Sequence, residues 1–394
     1  MTTEHPNLLI VIGDPAVARS VEDSLLKRGV PADARFAVSS RSALTALASR
    51  QPQFILVDID LPDSDGVDLM RVVAQQHPDV VRVLVADDRE LGSLRTSGVA
   101  HRCLARPWRV DTIIEVVRRR YQLEASLADQ ALEQLLARTD RLPVAPSAYT
   151  RIAAEMGSRE PAVGRIAGII AEDPALTAKV LQHINSAFFS LRSEITTVER
   201  AVAMLGMNQI MAIVMSAGLY GQSTGAPVDM VESIKQRSMK VAALTRVVSK
   251  VEGTTSGDRD TAFLAGMLHD CGKLVMATNW PHLYADIADS NDLALETQVI
   301  GANHPLIGAY LLASWKLPDT VVEAVAHHHR PSAGSFDEFG AIGLVHVAHA
   351  LAERPGDGTL PGLDLDFIGR FDLWDQSAAW LAAADDLEYE MANG

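Results

Sequence analysis

The sequence predicts an α/β domain with a parallel sheet, followed by a larger all-α domain. The chain has 394 residues, too many for a single core at about 150 residues per domain. In the first third, short apolar runs alternate with helix-like segments, a pattern typical of parallel sheets. Beyond residue 122 the apolar residues follow helical spacing, and strand-like alternation almost disappears.

The acidic charge of the chain is concentrated in the second part. Residues 1–122 hold 16 acidic and 16 basic side chains, whereas residues 123–394 hold 34 acidic and 19 basic ones. Nucleic-acid affinity comes largely from Lys and Arg neutralising phosphates, so an acidic region of this size disfavours direct DNA or RNA binding. We therefore expect proteins or small ligands as partners.

Location and redox state are predicted from what the sequence contains. Only two cysteines occur, too few for a disulfide framework or a cysteine-based zinc site. Residues 1–6 lack the basic and apolar regions of a secretory signal, which favours a cytoplasmic location. The uncharged stretch 201–228 has an apolar part of about ten residues, half of the roughly 20 that cross a bilayer. We interpret this stretch as two buried helices that are separated at Gly206, and we expect no contact with a membrane.

The α/β part follows from its local patterns. Apolar runs predict strands at 8–12, 35–38, 54–58, 80–85 and 102–104, and helical spacing predicts helices at 16–28, 40–49, 67–75 and from residue 111 onward. In open parallel sheets the functional site lies beyond the carboxyl ends of the strands. The candidate site residues are therefore Asp14, Asp58, Ala86 and Arg106.

Residues 7–122 resemble the receiver domain of response regulators. The resemblance rests on IGDP after the first strand, VDIDLPDSDG after the third and ARPW after the fifth. It implies a flavodoxin-like fold with Asp58 as the phosphoacceptor. The alternative is that Asp58 is a structural carboxylate ending a buried strand.

Several positions depart from the receiver pattern. Ile12 and Gly13 stand where the family has its Mg²⁺-binding acidic pair, and Asp14 is shifted by one residue. Ala86 replaces a hydroxyl residue, and Arg106 replaces a lysine whose point charge a planar guanidinium does not reproduce. The sequence therefore predicts a degenerate receiver site without bound Mg²⁺.

The second part begins with a connecting segment, 123–141. A helical pattern from Asp111 reaches Leu136, and either one long helix or two helices with a break near Ala125 would fit it. We expect Leu123, Leu127 and Leu135 to be partly buried against the bundle or a second copy of the helix. Further helices are predicted at 152–156, 164–171, 174–184, 201–206, 231–251, 260–278, 281–290, 293–300, 305–315 and 319–326. Asp173 caps one of them, and the spacing of Thr196 and Glu199 indicates a capping box for another. Gly272 is expected to cap the C-terminus of the helix that carries His269.

Histidines are the candidate ligands of the helical part. His269-Asp270, His304, the run 327–329 and His349 lie on separate predicted helices. Imidazole and carboxylate groups together bind divalent transition metals if they converge. The alternative is that each histidine is an ordinary core or surface residue.

Residues 125–340 resemble the HDOD domain, a relative of the HD phosphohydrolases with an HD-like helical bundle. The matching segments are LPVAPSAYTRIAAEM, IIAEDPALTAKVLQHINSAFFS, ITTVERAVAMLG, FLAGMLHDCGKLV, HPLIGAYLLASWKLP and AVAHHHRP. We place the receiver at 7–122 and the HDOD domain at 142–340. Receiver plus HDOD is a known arrangement of bacterial signalling proteins.

The resemblance also implies an incomplete HD catalytic set. Arg237 stands where the first histidine should fall, and a guanidinium cannot ligate. His349 stands in the helix that should carry the final aspartate. The vestigial pocket then consists of Arg237, His269, Asp270, His304, His328 and His349. This favours binding over hydrolysis and predicts a pocket without metal.

Residues 341–394 are predicted to form an acidic helical extension. From Glu353 onward there are 10 acidic and 2 basic residues. Apolar anchors are expected at Leu363, Phe367, Ile368, Phe371, Leu373, Trp374, Trp380 and Leu381. The extension should pack on the bundle with an exposed acidic face, and a partner-binding tail is the alternative.

These features together predict a signalling regulator that acts by binding, with no catalytic residues and no cofactor. The expected partners are other signalling proteins, such as a histidine kinase or a diguanylate-signalling enzyme, and a homodimer could form through the receiver and connecting helix. One alternative is a metal-dependent phosphodiesterase or phosphohydrolase, for instance on a cyclic dinucleotide. Another is a small-molecule sensor that uses the vestigial pocket.

Overall fold

The chain divides into two compact units, Met1–Gln122 and Leu123–Gly394, in the computed structural model. The residues described are 7–17, 19, 23, 33–77, 80–91, 94, 99–106, 110–128, 130–139, 141–158, 161–189, 194–222, 225–288 and 290–393. An α/β unit precedes an all-α unit, so the predicted fold class is confirmed.

The first unit is built on a parallel sheet of the order β2-β1-β3-β4-β5. The strands are β1 Asn7–Val11, β2 Asp33–Ala37, β3 Phe54–Asp58, β4 Val81–Ala86 and β5 Arg102–Ala105. All five residues of β1 are buried, because apolar clusters cover both faces of the sheet. This explains why its strands read as continuous apolar runs rather than as alternating ones.

The helices of this unit whose bounds lie within the described residues are α1 Ser40–Ser49, α2 Gly66–Gln76, α3 Asp88–Leu91 and α4 Val110–Leu127. Asp65 caps α2 by accepting a hydrogen bond from the backbone N–H of Val67. A Cβ atom at Gly66 would collide with the backbone oxygen of Asp58, so glycine is required where α2 approaches the end of β3. The short helix α3 was not predicted, and the helix predicted at 16–28 lies largely outside the described residues.

The second unit is all-α with one continuous apolar core. Its helices are α5 Gln130–Ala137, α6 Ser147–Met156, α7 Val163–Ala171, α8 Pro174–Ile184, α9 Val198–Leu205, α10 Met207–Gly221, α11 Val228–Glu252, α12 Ser256–Leu268, α13 Cys271–Asn279, α14 Pro281–Ala285, α15 Leu293–Ile300, α16 His304–Ser314, α17 Asp319–His327, α18 Gly340–Ala352, α19 Leu365–Gly369 and α20 Ser377–Asn393.

The connecting segment takes the two-helix alternative, since α4 ends at Leu127 and α5 begins at Gln130. Leu123 is buried in the helical core, and Leu127 and Leu135 are partly buried against it, which confirms their predicted packing on the bundle. The predicted break at Gly206 is also confirmed. Gly206 separates α9 from α10 with a φ of 85°, a left-handed conformation that favours glycine.

Three local predictions were wrong. Thr197, not Thr196, caps α9 by accepting from the N–H of Arg200. The helix predicted at 260–278 is interrupted between α12 and α13, so Gly272 lies inside α13 rather than capping a helix. A Cβ atom there would collide with the backbone oxygen of His304, and the glycine therefore allows α13 and α16 to approach closely.

The acidic extension packs on the bundle as predicted. Phe367, Ile368 and Trp380 are fully buried, and Arg354 pairs with Asp385 at 2.6 Å. Trp374 was wrongly predicted as an anchor, because 54% of it is exposed. Within the described ranges, no helix has both the length and the apolar character needed to span a membrane.

Candidate functional site

The receiver site centres on an ion pair between Arg106 and Asp58. Arg106 follows β5 and donates from its guanidinium to Asp58 at the end of β3, and also to Asp60 at 3.0 Å. A third carboxylate, on Asp87, lies 3.7 Å from the same guanidinium. Although burial acts to lower it, the pKa of Arg106 is raised by the charge of Asp58, so the cation is firmly held among acidic groups.

The other predicted receiver residues are Asp14 and Ala86. Asp14 is exposed, and its carboxylate accepts from the N–H of Ala16, a local capping contact. Ala86 is fully buried, and its methyl group cannot donate to a phosphoryl oxygen. The part of the site that can be described thus places the guanidinium of Arg106 among the carboxylates of Asp58, Asp60 and Asp87. The prediction of a site without Mg²⁺ stays untested.

In the helical unit, histidines from four sequence regions converge on Asp270. The members of this histidine cluster are His269, His304, His328, His329 and His349. The Nε2 atoms of His269 and His304 each lie 3.4 Å from the carboxylate of Asp270, and Nε2 of His304 lies 3.4 Å from Nε2 of His328. Ring centroids of His328 and His349 are 4.9 Å apart. The structure therefore brings together histidines whose convergence the sequence alone could not show.

Three imidazole rings of the cluster are oriented by oxygen atoms that accept hydrogen bonds from their Nδ1 atoms. Nδ1 of His269 lies 2.8 Å from the carbonyl oxygen of Gly266, and Nδ1 of His328 lies 2.8 Å from that of Val325. Nδ1 of His304 lies 2.8 and 2.9 Å from the two carboxylate oxygens of Glu296. Contacts of this kind orient an imidazole and turn its other nitrogen toward the centre of a site.

His346 links the cluster to the extension. Its Nδ1 lies 2.7 Å from the backbone oxygen of His328. Its Nε2 accepts from the backbone N–H of Asp364, the residue that caps α19. This contact ties the end of α17 to the start of the C-terminal helices.

A polar network lies beside the cluster. Lys273 lies 3.1 Å from Oδ1 of Asp270 and donates to Asn291 at 3.1 Å. Arg237 donates to Asn291 and, at 2.6 Å, to Glu353, and its Nε lies 3.8 Å from Asp270. The buried charge of Asp270 is therefore offset by two cations from different helices.

Burial sets the protonation of the cluster. It lowers the pKa of His269 and holds those of His328 and His349 well below the ordinary histidine value, so these rings are neutral near pH 7. Although burial acts to raise it, the pKa of Asp270 lies well below its usual value because of adjoining cationic groups that include Lys273. Neutral imidazoles around a carboxylate are the protonation states that metal ligation needs.

A metal would fit this donor set. The nitrogens of His269, His328 and His349 lie within 4.8 Å of one another, as do those of His304, His328 and His329. Among the described residues, Nε2 of His269 and both ring nitrogens of His349 have no hydrogen-bond partner although they are buried. Buried polar atoms are normally satisfied, so these nitrogens are available to an ion. The prediction of a metal-free pocket stays untested.

A cavity of about 690 Å³ adjoins the polar network. Its lining includes Arg237, Asn291 and Glu353, the residues of the polar network. Phe188 and Lys240 lie on its wall. The cavity is therefore large enough for a small polar ligand beside the polar network, and its lining includes no histidine of the cluster.

All six predicted pocket residues come together here, and sequence reasoning missed five others: Lys273, Glu296, Asn291, His329 and Glu353. Lys273 and Glu353 had a signal, because they follow Asp270 and His349 by three and four residues on helices. His329 belongs to the histidine run 327–329, but only His328 of that run was predicted as a pocket residue. Nothing in the sequence indicated Glu296 or Asn291.

Two family models match the chain. The response regulator receiver domain matches residues 8–118, and the HDOD domain matches residues 142–331. The chain therefore carries a receiver domain followed by an HDOD domain. This architecture is that of a signalling regulator.

Individual relatives support the fold. An uncharacterized protein of Treponema pallidum (strain Nichols) is 24% identical over 257 residues, which is 64% of this chain and 45% of that protein. This chain thus spans under half the length of that curated relative. An HDOD domain protein of unknown function from Geobacter sulfurreducens has a TM-score of 0.51 at 20% identity, covering 67% of this chain and 99% of its own. A proposed phosphohydrolase from Shewanella amazonensis SB2B has a TM-score of 0.51 at 23% identity, covering 68% and 98%. At these identities the structural likeness shows the fold alone.

Proposed function

We propose that this chain is a signalling regulator that acts by binding, with a receiver input and a non-catalytic HDOD output. The support is a feature common to both domains: an arginine lies against the aspartate on which the chemistry of each family depends. Arg106 pairs with Asp58, and Arg237 lies 3.8 Å from Asp270. A fixed guanidinium supplies positive charge but no open coordination position, so it opposes metal-dependent chemistry at each aspartate.

The proposed partner is another signalling protein, either a histidine kinase or a diguanylate-signalling enzyme. The acidic charge of residues 123–394 favours a partner with a basic surface, since complementary charge speeds encounter and suppresses wrong partners. Pull-down from the native bacterium with the full chain, followed by mass spectrometry, should recover such a protein. Binding must then be reproduced with the two purified proteins, and failure to do so would count against the partner assignment.

Catalysis is tested directly on the purified full chain. Cyclic di-GMP and a generic phosphodiester are incubated with the protein and added Mn²⁺, Fe²⁺ or Zn²⁺. We expect no more turnover than with His269→Ala, since the HD set lacks its first histidine. Turnover that this substitution removes would overturn the non-catalytic proposal.

The second candidate is a metal-dependent phosphohydrolase. It is favoured by the unpartnered nitrogens of His269 and His349 together with the adjoining cavity of about 690 Å³. A metal held there would supply Lewis-acid chemistry. Arg237, which lines the cavity, would then bind and orient an anionic substrate group. The same hydrolysis assay decides between the two candidates.

A further inference from the structure

We propose that His269, His328 and His349 bind a divalent transition metal ion of the class that prefers nitrogen ligands, such as Zn²⁺ or Co²⁺. This goes beyond the proposed function and does not depend on it, because an ion can stabilise a domain without catalysing a reaction. It also departs from the sequence-based expectation, which counted His349 as a lost ligand.

The first argument is the direction of the ring lone pairs. Carbonyl oxygens only accept hydrogen bonds, so the Nδ1 atoms of His269 and His328 must carry the hydrogens that they share with Gly266 and Val325. In a neutral ring the other nitrogen, Nε2, is then an acceptor. The two rings are 5.0 Å apart between centroids. Each ring therefore keeps one acceptor nitrogen, and one nitrogen from each of these two rings and from His349 lies within 4.8 Å of the others, a spacing that a shared cation would fit.

The second argument is His349. It is 2% exposed, and neither of its ring nitrogens has a hydrogen-bond partner among the described residues. Its Nε2 lies 3.3 Å from Oε2 of Glu353 without hydrogen-bonding geometry. Leaving a buried polar group unsatisfied costs about 1–3 kcal/mol. A histidine on α18 with two open nitrogens is thus better explained as a ligand than as packing.

Distances are compatible with coordination after a small contraction. The three ligand nitrogens lie within 4.8 Å of one another. In a tetrahedral zinc site with bonds of about 2.0–2.1 Å, ligand nitrogens are about 3.3 Å apart. Side-chain movements of about 1 Å would therefore close the site, and Asp270 lies beside it at 3.4 Å from Nε2 of His269.

The second histidine group, His304, His328 and His329, is the weaker candidate. Nε2 of His329 lies 3.1 Å from Nε2 of His304, within hydrogen-bonding distance. A single proton on one of the two rings satisfies both nitrogens. In the first group, Nε2 of His269 and both ring nitrogens of His349 have no hydrogen-bond partner among the described residues, so the first group is the better candidate.

The donor set also determines which ions should bind. Three neutral imidazoles select Zn²⁺, Co²⁺ or Ni²⁺, whereas Mg²⁺ and Ca²⁺ require oxygen ligands. The two carboxylates beside the group are already paired with cations, Asp270 with Lys273 at 3.1 Å and Glu353 with Arg237 at 2.6 Å. Excess Mg²⁺ should therefore not compete.

The experiment uses the full chain, stripped with a chelator and titrated with Co²⁺. We expect one equivalent to bind with visible absorption typical of nitrogen ligation, to be displaced by Zn²⁺, and to be unaffected by Mg²⁺. His349→Ala should weaken binding by at least about tenfold, the loss that even an outer contact of a metal site can cause. The matched control is His282→Ala, because His282 is exposed and belongs to neither group.

Two results would overturn the proposal: wild-type protein that binds less than one equivalent of both ions, or His349→Ala that binds like the wild type. If His349→Ala does not fold, X-ray absorption of the wild-type Co²⁺ complex counts the imidazole ligands, and fewer than three would reject the assignment. The hydrolysis assay is read separately. Metal binding without turnover leaves both proposals standing, and turnover rejects only the non-catalytic function.

Discussion

Arg106 donates from one guanidinium to the carboxylates of both Asp58 and Asp60. Its position is fixed by the backbone, because its N–H donates to the backbone oxygen of Ala86 at 2.9 Å. A receiver phosphoacceptor needs Mg²⁺ to offset the charge of the incoming phosphoryl group. Here the guanidinium of Arg106 already provides positive charge and covers one carboxylate oxygen of Asp58.

The first prediction is that Asp58 is a poor phosphoacceptor. Acetyl phosphate with Mg²⁺ should label the wild-type protein no more than Asp58→Asn, because Ile12 and Gly13 offer no carboxylate and Ala86 no hydroxyl. Intact-protein mass spectrometry gives the measurement. Tight, Mg²⁺-dependent beryllofluoride binding that Asp58→Asn abolishes would contradict it.

The fold of the receiver could be predicted from the sequence because the patterns that indicate its strands are local. Each strand is an apolar run of a few residues, and the sheet places the strand ends side by side, so Asp58 and Arg106 could be assigned to one site. What it could not show is that they form an ion pair, since side-chain direction depends on packing. The short helix α3 also escaped prediction, because four residues carry too little periodicity.

The second prediction concerns the buried charge of Asp270. Lys273→Met removes the ammonium group 3.1 Å from a carboxylate that is fully buried. An uncompensated buried charge costs about 3–5 kcal/mol, and Arg237 at 3.8 Å should recover only part of it. Chemical denaturation followed by far-UV circular dichroism measures the loss in the helical unit.

A matched control is available for that substitution. Lys235 pairs with Glu232 at the same i,i+3 spacing but closer to solvent, the side chain of Glu232 being 48% exposed. Lys235→Met should cost no more than about 1 kcal/mol. Equal losses for the two variants would show that Lys273 does not stabilise Asp270.

The histidine cluster marks the limit of sequence reasoning in this chain. Its ligands come from positions as far apart as His269 and His349, and helical periodicity says which face of a helix is buried but not which helices meet. Gly272 illustrates the same limit. The pattern suggested a helix end, whereas the structure requires the glycine for close contact with the backbone of His304, a contact over 30 residues distant in sequence.

The third prediction concerns the acidic extension. Trp380 is fully buried and donates from its indole to Glu252 at 2.7 Å, so Trp380→Ala should cost about 3–5 kcal/mol. Trp374→Ala should cost much less, because 54% of Trp374 is already exposed. Limited proteolysis should release the extension from the first variant only. If both variants resist equally, the extension is not anchored through Trp380.

The last prediction concerns self-association. Residues 1–122 carry no net charge, whereas residues 123–394 carry a net charge of −15 (19 basic minus 34 acidic), so two copies of the helical unit repel each other at low salt. We therefore propose that any homodimer forms through the receiver and connecting helix. A fragment lacking residues 1–110 keeps Leu123 and the rest of the helical core and should fold. In sedimentation it should be monomeric under conditions where the full chain associates. A fragment that remains dimeric at low salt would place the dimer surface in the helical unit instead.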